Sequence, residues 1–202
     1  MRRTLALSLA LSLSLGLLSG CGPAAPAVQA QELTAQPVSV QPAGSPTVDQ
    51  TLTGFGLSLL QGARSTENGP VLLSPLSAAL ALSMAANGAD GDTLAQFETV
   101  LGGGVTLDEL NAACAQLLSD YGDLDGSTEC LIANSLWTDP EGMIREDFIG
   151  KCQGIFDAQV FSQDLSAPSV VPAVNSWVSE HTNKMIPASS LNRSTKTPPC
   201  CW

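Results

Sequence analysis

The chain has 202 residues, 19 acidic against 8 basic side chains, and a formal net charge of −11. This acidic balance argues against a nucleic-acid-binding role, which relies on basic patches. Six cysteines without a CxxC pair and a single histidine offer no metal-ligand set, and nothing in the sequence implies a cofactor.

Met1, Arg2 and Arg3 precede an apolar run at 5–18. At about fourteen residues that run is too short for a spanning helix, which needs about twenty. It ends in Leu18, Ser19, Gly20 and Cys21, the pattern of a bacterial lipoprotein signal. Small residues at 19 and 20 let a peptidase reach the bond, and the Cys21 thiol takes the diacylglyceryl group. An ordinary secretory signal with an incidental cysteine is the alternative. The expected mature protein is exported and lipid-anchored through Cys21 at the bacterial cell surface or envelope. Loss of Arg2 and Arg3 with the signal takes the formal charge from −11 to −13.

Residues 21–47 are rich in Pro, Ala, Gln, Val and Ser and carry one charge, Glu32. Such a composition predicts a flexible tether. The 140 or so residues from 48 to 187 are enough for one small domain.

Within the domain, Val48, Leu52, Phe55 and Leu59 recur at helical spacing, across Gly54 and Gly56. The apolar run 70–73 predicts a short buried strand. Ser74 and Pro75 then offer an N-cap and a first helical residue. The segment 76–86 is apolar nearly all round, so its helix should be buried, with Asn87 and Gly88 as the stop. Thr93 and Gln96 resemble a capping box for a helix through Leu94, Phe97, Val100 and Leu101. Leu107, Leu110, Cys114, Leu117 and Leu118 mark the next helix. Residues 129–137 read as a strand with Asn134 in its middle, an amide that must find partners if buried. A helix through Phe148, Ile149, Cys152, Ile155 and Phe156 leads to a strand at 158–161 and a turn at 164–168. Val170, Val174, Trp177, Val178 and His181 make the last amphipathic helix. Cys114, Cys130 and Cys152 read as small core hydrophobes. His181 has no nucleophile positioned beside it, so no enzyme activity is expected. The order of elements predicts an α+β fold.

Four stretches resemble the serpin family, in the family's order. They are VLLSPLSAALALSMAANGADGDTLAQFETVLG (71–102), LIANSLW (131–137), REDFIGKCQGIFDAQVFSQDLS (145–166) and VNSWVSEHTNKMIP (174–187). The resemblance implies the N-terminal portion of a serpin fold, helices A–F with strands 6B, 2A and 1A. It implies inhibition of a serine or cysteine protease, in which a cleaved reactive-centre loop inserts into the large sheet. The partner it implies is the target protease of the full-length parent. Ser74, Pro75, Ser77 and Asn134 match the family's shutter region, where the strands part, and Trp177 and Val178 match the packing face of helix F. No stretch matches a reactive-centre loop, which predicts a truncated, inactive and weakly stable chain. The alternatives are a lipid-anchored binding or scaffold module and a non-functional gene remnant.

The stretch 188–202, ASSLNRSTKTPPCCW, has no acid and no periodicity. Back-translated and regrouped one frame over, its codons can spell ILEQVDEDTAMLL, close to what the family has after helix F. Residues 188–202 are therefore expected to be an out-of-frame tail.

Overall fold

The computed structural model describes residues 30–66, 69–122 and 124–187. The leader at 1–20, Cys21 and the tail at 188–202 lie outside the described residues. Six helices and three strands follow in the order β1 (Gln31–Leu33), α1 (Pro46–Thr66), α2 (Pro75–Ala86), α3 (Gly91–Gly102), α4 (Leu107–Gly122), β2 (Asn134–Thr138), α5 (Glu146–Phe156), β3 (Ala158–Ser162) and α6 (Val170–His181). This is the α+β architecture that the sequence predicts.

The sheet has the order β1-β3-β2. β2 and β3 run parallel, with Asn134 opposite Ala158 and Trp137 opposite Phe161. Parallel neighbours need a crossover, and α5 supplies it. Asp157 takes a left-handed conformation (φ 49) directly after α5, so the helix turns into β3 within one residue. Alternation along β2 and β3 then covers both faces. Leu136, Ala158 and Val160 join the main core with Leu80, Leu101, Leu110, Cys114, Ile149, Cys152 and Phe156. Trp137 and Phe161, stacked with centroids 4.4 Å apart, face the other way and meet Val170 and Val174 of α6. Helices α1–α5 thus lie on one side of the sheet and α6 on the other.

The helix ends follow local chemistry. Asp90, not Thr93, caps α3, its carboxylate accepting from the Gly91 N–H at 2.7 Å. Thr93 lies inside that helix, because an acidic cap three residues earlier is already in place. Gly103 in the left-handed region (φ 68) ends α3, and Gly104 N–H reaches back to the Glu98 carbonyl. A reciprocal capping box stands instead at Thr106 and Glu109, before α4: Thr106 N–H donates to the Glu109 carboxylate at 3.0 Å, and Glu109 N–H to the Thr106 hydroxyl at 3.3 Å.

Four further expectations are corrected. Residues 70–73 form no strand and Leu72 is 97% exposed. An apolar run becomes a strand only where a neighbour pairs with it, and no described segment does. The strand expected at 129–137 is confined to Asn134–Thr138, the length that β3 can pair. Cys130 is therefore exposed rather than in the core, whereas Cys114 and Cys152 are buried. The largest correction concerns the tether: its described part, from residue 30, is fastened to the domain. β1 pairs antiparallel with β3, the Ala35 and Val38 amides bond to α5, and the Ala43 amide donates to the Ala112 carbonyl of α4.

Candidate functional site

The start of α2 is shaped by Ser74, held extended at φ −110 and ψ 94, with Pro75 as the first helical residue. The Ser74 hydroxyl accepts the Ser77 N–H at 3.3 Å and lies 2.8 Å from the Ser77 hydroxyl, either of which can donate. Proline fits there because its missing N–H has no helical partner to lose. Gly56 of α1 makes room for it, since a Cβ at 56 would stand 3.0 Å from the Pro75 Cβ. A side chain at 56 would push α1 away from the start of α2.

Asn134 opens β2. Its Nδ2 donates to the Phe156 carbonyl at 2.8 Å, and Phe156 is the last residue of α5. The final carbonyls of a helix have no partner within it. Asn134 therefore caps α5 while pairing in the sheet. The structure brings Ser74 and Ser77 together, but the Asn134 amide bonds to Phe156 rather than to either serine.

Trp177 and Val178 pack against the cluster of Trp137, Val170 and Val174. The Trp177 indole N–H donates to Gln159 Oε1 at 2.5 Å, and Gln159 Nε2 donates to Glu32 at 3.2 Å. One glutamine thus ties α6, β3 and β1 together. His181 stacks on Trp177 at 4.3 Å, with Nδ1 2.8 Å from the Trp177 carbonyl. A carbonyl only accepts, so that nitrogen carries the proton. Gln159, Gln153 and Asn111 were not singled out in the sequence, and Asn87 only as a helix stop; polar residues inside strongly helical or apolar stretches were the available signal.

The set holds hydroxyls, an amide and apolar rings, and none of these forms a nucleophile–base pair.

The thiols differ in the same physical terms. Burial pushes the Cys152 thiol up to about 11 and raises that of Cys114 as well. Because the thiolate is the nucleophile, iodoacetamide at pH 8 should label Cys130 at least about tenfold faster than Cys152, read by peptide mass spectrometry. Comparable labelling would show that α5 is not packed. The folded thiol of Cys152 keeps its proton beyond 9.0, the ordinary value, while the unfolded one ionises. Its contribution to stability is intact below pH 9.0 and is lost as the pH rises toward 11.

A sequence profile of the family described as Serpin (serine protease inhibitor) matches residues 50–197, well over half of the chain. The chain belongs to the serpin family. Neuroserpin of Gallus gallus is 33% identical over 147 residues, covering 68% of this chain and 34% of that protein. Serpin-Z7 of Hordeum vulgare is 28% identical over 158 residues, covering 71% and 40%. Among solved structures, the native state of tengpin, a thermophilic serpin, superposes with a TM-score of 0.70 at 32% identity, over 82% of this chain and 43% of tengpin. This serpin chain thus spans about two-fifths of the relatives it matches. The profile match runs to residue 197.

Proposed function

We propose that the protein is a serpin-type inhibitor of a serine or cysteine protease, acting by loop insertion in a form that supplies the rest of the family fold. The 202-residue chain by itself does not inhibit. The observation that carries this reading is the family match over residues 50–197. In this reading Ser74, Pro75, Ser77 and Asn134 serve the shutter: polar groups able to exchange partners let strands part without leaving a buried donor unpaired. Asn134 suits that role, since its amide already bridges sheet and helix.

A chimera tests it. Residues 48–187 are placed in tengpin in place of the matching segment, and SDS-resistant complexes with trypsin-, chymotrypsin- and subtilisin-like proteases are sought. The chimera should trap at least one enzyme and the 202-residue chain none. A folded chimera that is only cleaved as a substrate would sink the proposal.

We further propose lipid attachment at Cys21. Because the fold holds the chain from Gln31 onward, only ten Cα steps separate Cys21 from the sheet, a reach of at most roughly 35 Å. The domain then sits close to the membrane rather than on a long leash. No helix among the described residues is long and apolar enough to cross a membrane itself. Metabolic labelling with an alkyne fatty acid should mark the chain and fail with Cys21→Ala. The exposed side chains of Leu57, Leu60 and Leu72 favour a second reading, a lipid-anchored binding module. A compact monomer that binds a partner without any protease reaction would support it.

A further inference from the structure

The helix α5 contains two glycines four residues apart, Gly150 and Gly154, on one face. Each costs a helix stability relative to alanine. What uses their missing side chains is the backbone of the segment after β1. A Cβ at 150 would collide with the Gln36 carbonyl, and one at 154 with the backbone N, C and O of Val38. Between them Gln153 reads an extended chain with both ends of its amide: Oε1 accepts the Ala35 N–H at 3.0 Å and Nε2 donates to the Leu33 carbonyl at 3.0 Å. The Val38 N–H adds a bond to the Gly150 carbonyl at 2.9 Å, and β3 offers a ladder to Gln31, Glu32 and Leu33.

We propose that α5 and the outer edge of β3 form a groove built for an extended backbone, and that residues 31–43 are a releasable strap that fills it in cis and closes the sheet edge. The inference rests on contacts in the structure and stands apart from the inhibitory reading. Recognition runs through peptide groups and close approach, so it tolerates varied side chains provided they lie flat; the one charge in the strap, Glu32, accepts a bond from Gln159. The strap is shallowly held: Leu33, Ala35 and Val40 touch the core, while Gln36, Pro37, Val38 and Ser39 are exposed. Few buried apolar contacts mean a low free energy of local opening. Once lifted, the strap leaves the β3 edge with unpaired amides and carbonyls, a template for strand addition.

Two full-length variants test this from opposite sides. Gly150→Ala with Gly154→Ala fills the groove; Ala35→Pro with Val38→Pro removes two strap donors and leaves the groove whole. Gly62→Ala, which meets nothing within 4 Å, is the control. Glutamyl endopeptidase reports the strap through Glu32, with exposed Glu141 as the internal reference. In the unaltered chain and the control, Glu32 should be cut at least about tenfold more slowly than Glu141, and in both double variants that protection should vanish. A labelled peptide of residues 30–43, followed by anisotropy, should bind the Ala35→Pro/Val38→Pro chain at least about tenfold more tightly than the unaltered or Gly150→Ala/Gly154→Ala chains. Equal cutting at Glu32 and Glu141 in the unaltered chain overturns the proposal. So does a strap-side variant that takes up no peptide, or peptide bound equally by the groove-filled variant.

Discussion

Phe156→Ala should abolish the cooperative unfolding of this chain. Phe156 is 0% exposed and sits where α5 ends, against Leu80, Leu110 and Ile149 of the main core. Truncating a buried phenylalanine costs about 3–5 kcal/mol, the lost transfer energy plus a cavity that neighbours only partly fill. Domains of this size are stable by about 5–15 kcal/mol. This one lies toward the lower end, because β2 has an unpaired outer edge among the described residues and Leu57, Leu60 and Leu72 lie open. The loss therefore consumes most of the stability. Urea titration followed by far-ultraviolet circular dichroism gives the measurement, with Leu72→Ala as the control. At 97% exposure, that substitution should move the midpoint by less than about 0.5 kcal/mol equivalent. If the unaltered and Phe156→Ala chains show the same broad, non-cooperative change, the core described here is not populated in solution.

The same residue marks how far the sequence could be read. Phe156, Ile155, Cys152 and Ile149 stand at helical spacing, so α5 and its buried face were legible from period alone. Ser74 and Pro75 were legible as the start of α2 because capping is a local matter of one oxygen and one N–H. What escaped was long-range. Residues 31–43 look like a tether because their composition cannot bury a core of its own, and it does not need to. Their partners lie more than a hundred residues away, at Gly150, Gln153 and Gly154. The signal lay in the partner, a helix that carries two glycines where alanine is the better helix former. Residues 70–73 failed in the opposite sense, a strand-like run for which no described segment supplies an edge. Of the candidate site, the Ser74 cap was foreseeable, whereas the bond from Asn134 to the end of α5 depends on β2 and α5 being neighbours. Gln159 and Asn111 stand out only as polar residues in apolar or helical stretches, and packing alone decides what they bond to.

Asn111→Ala should destabilise the chain by about 2–3 kcal/mol, although no charge and no large apolar group is lost. Asn111 is 2% exposed on α4 and forms a two-way amide pair with Asn87, at the end of α2. Asn87 Nδ2 donates to Asn111 Oδ1 at 2.8 Å, and Asn111 Nδ2 returns a bond to Asn87 Oδ1 at 2.9 Å. Asn87 also donates to the Ser83 carbonyl, one turn back in α2. The pair locks two helices in one register, which apolar packing alone leaves loose. Removing Asn111 leaves the Asn87 Oδ1 unmet in a half-buried site, while its Nδ2 keeps the Ser83 carbonyl, and an unmet buried donor or acceptor costs about 1–3 kcal/mol. Removing both leaves no orphan. The double variant Asn87→Ala/Asn111→Ala should therefore be less destabilised than the sum of the two singles, by about 1 kcal/mol or more. Urea midpoints of the four chains decide it. Strict additivity would mean that the two amides do not face each other, and the register of α2 against α4 would then rest on apolar packing through residues such as Leu80, Met84, Leu110 and Cys114.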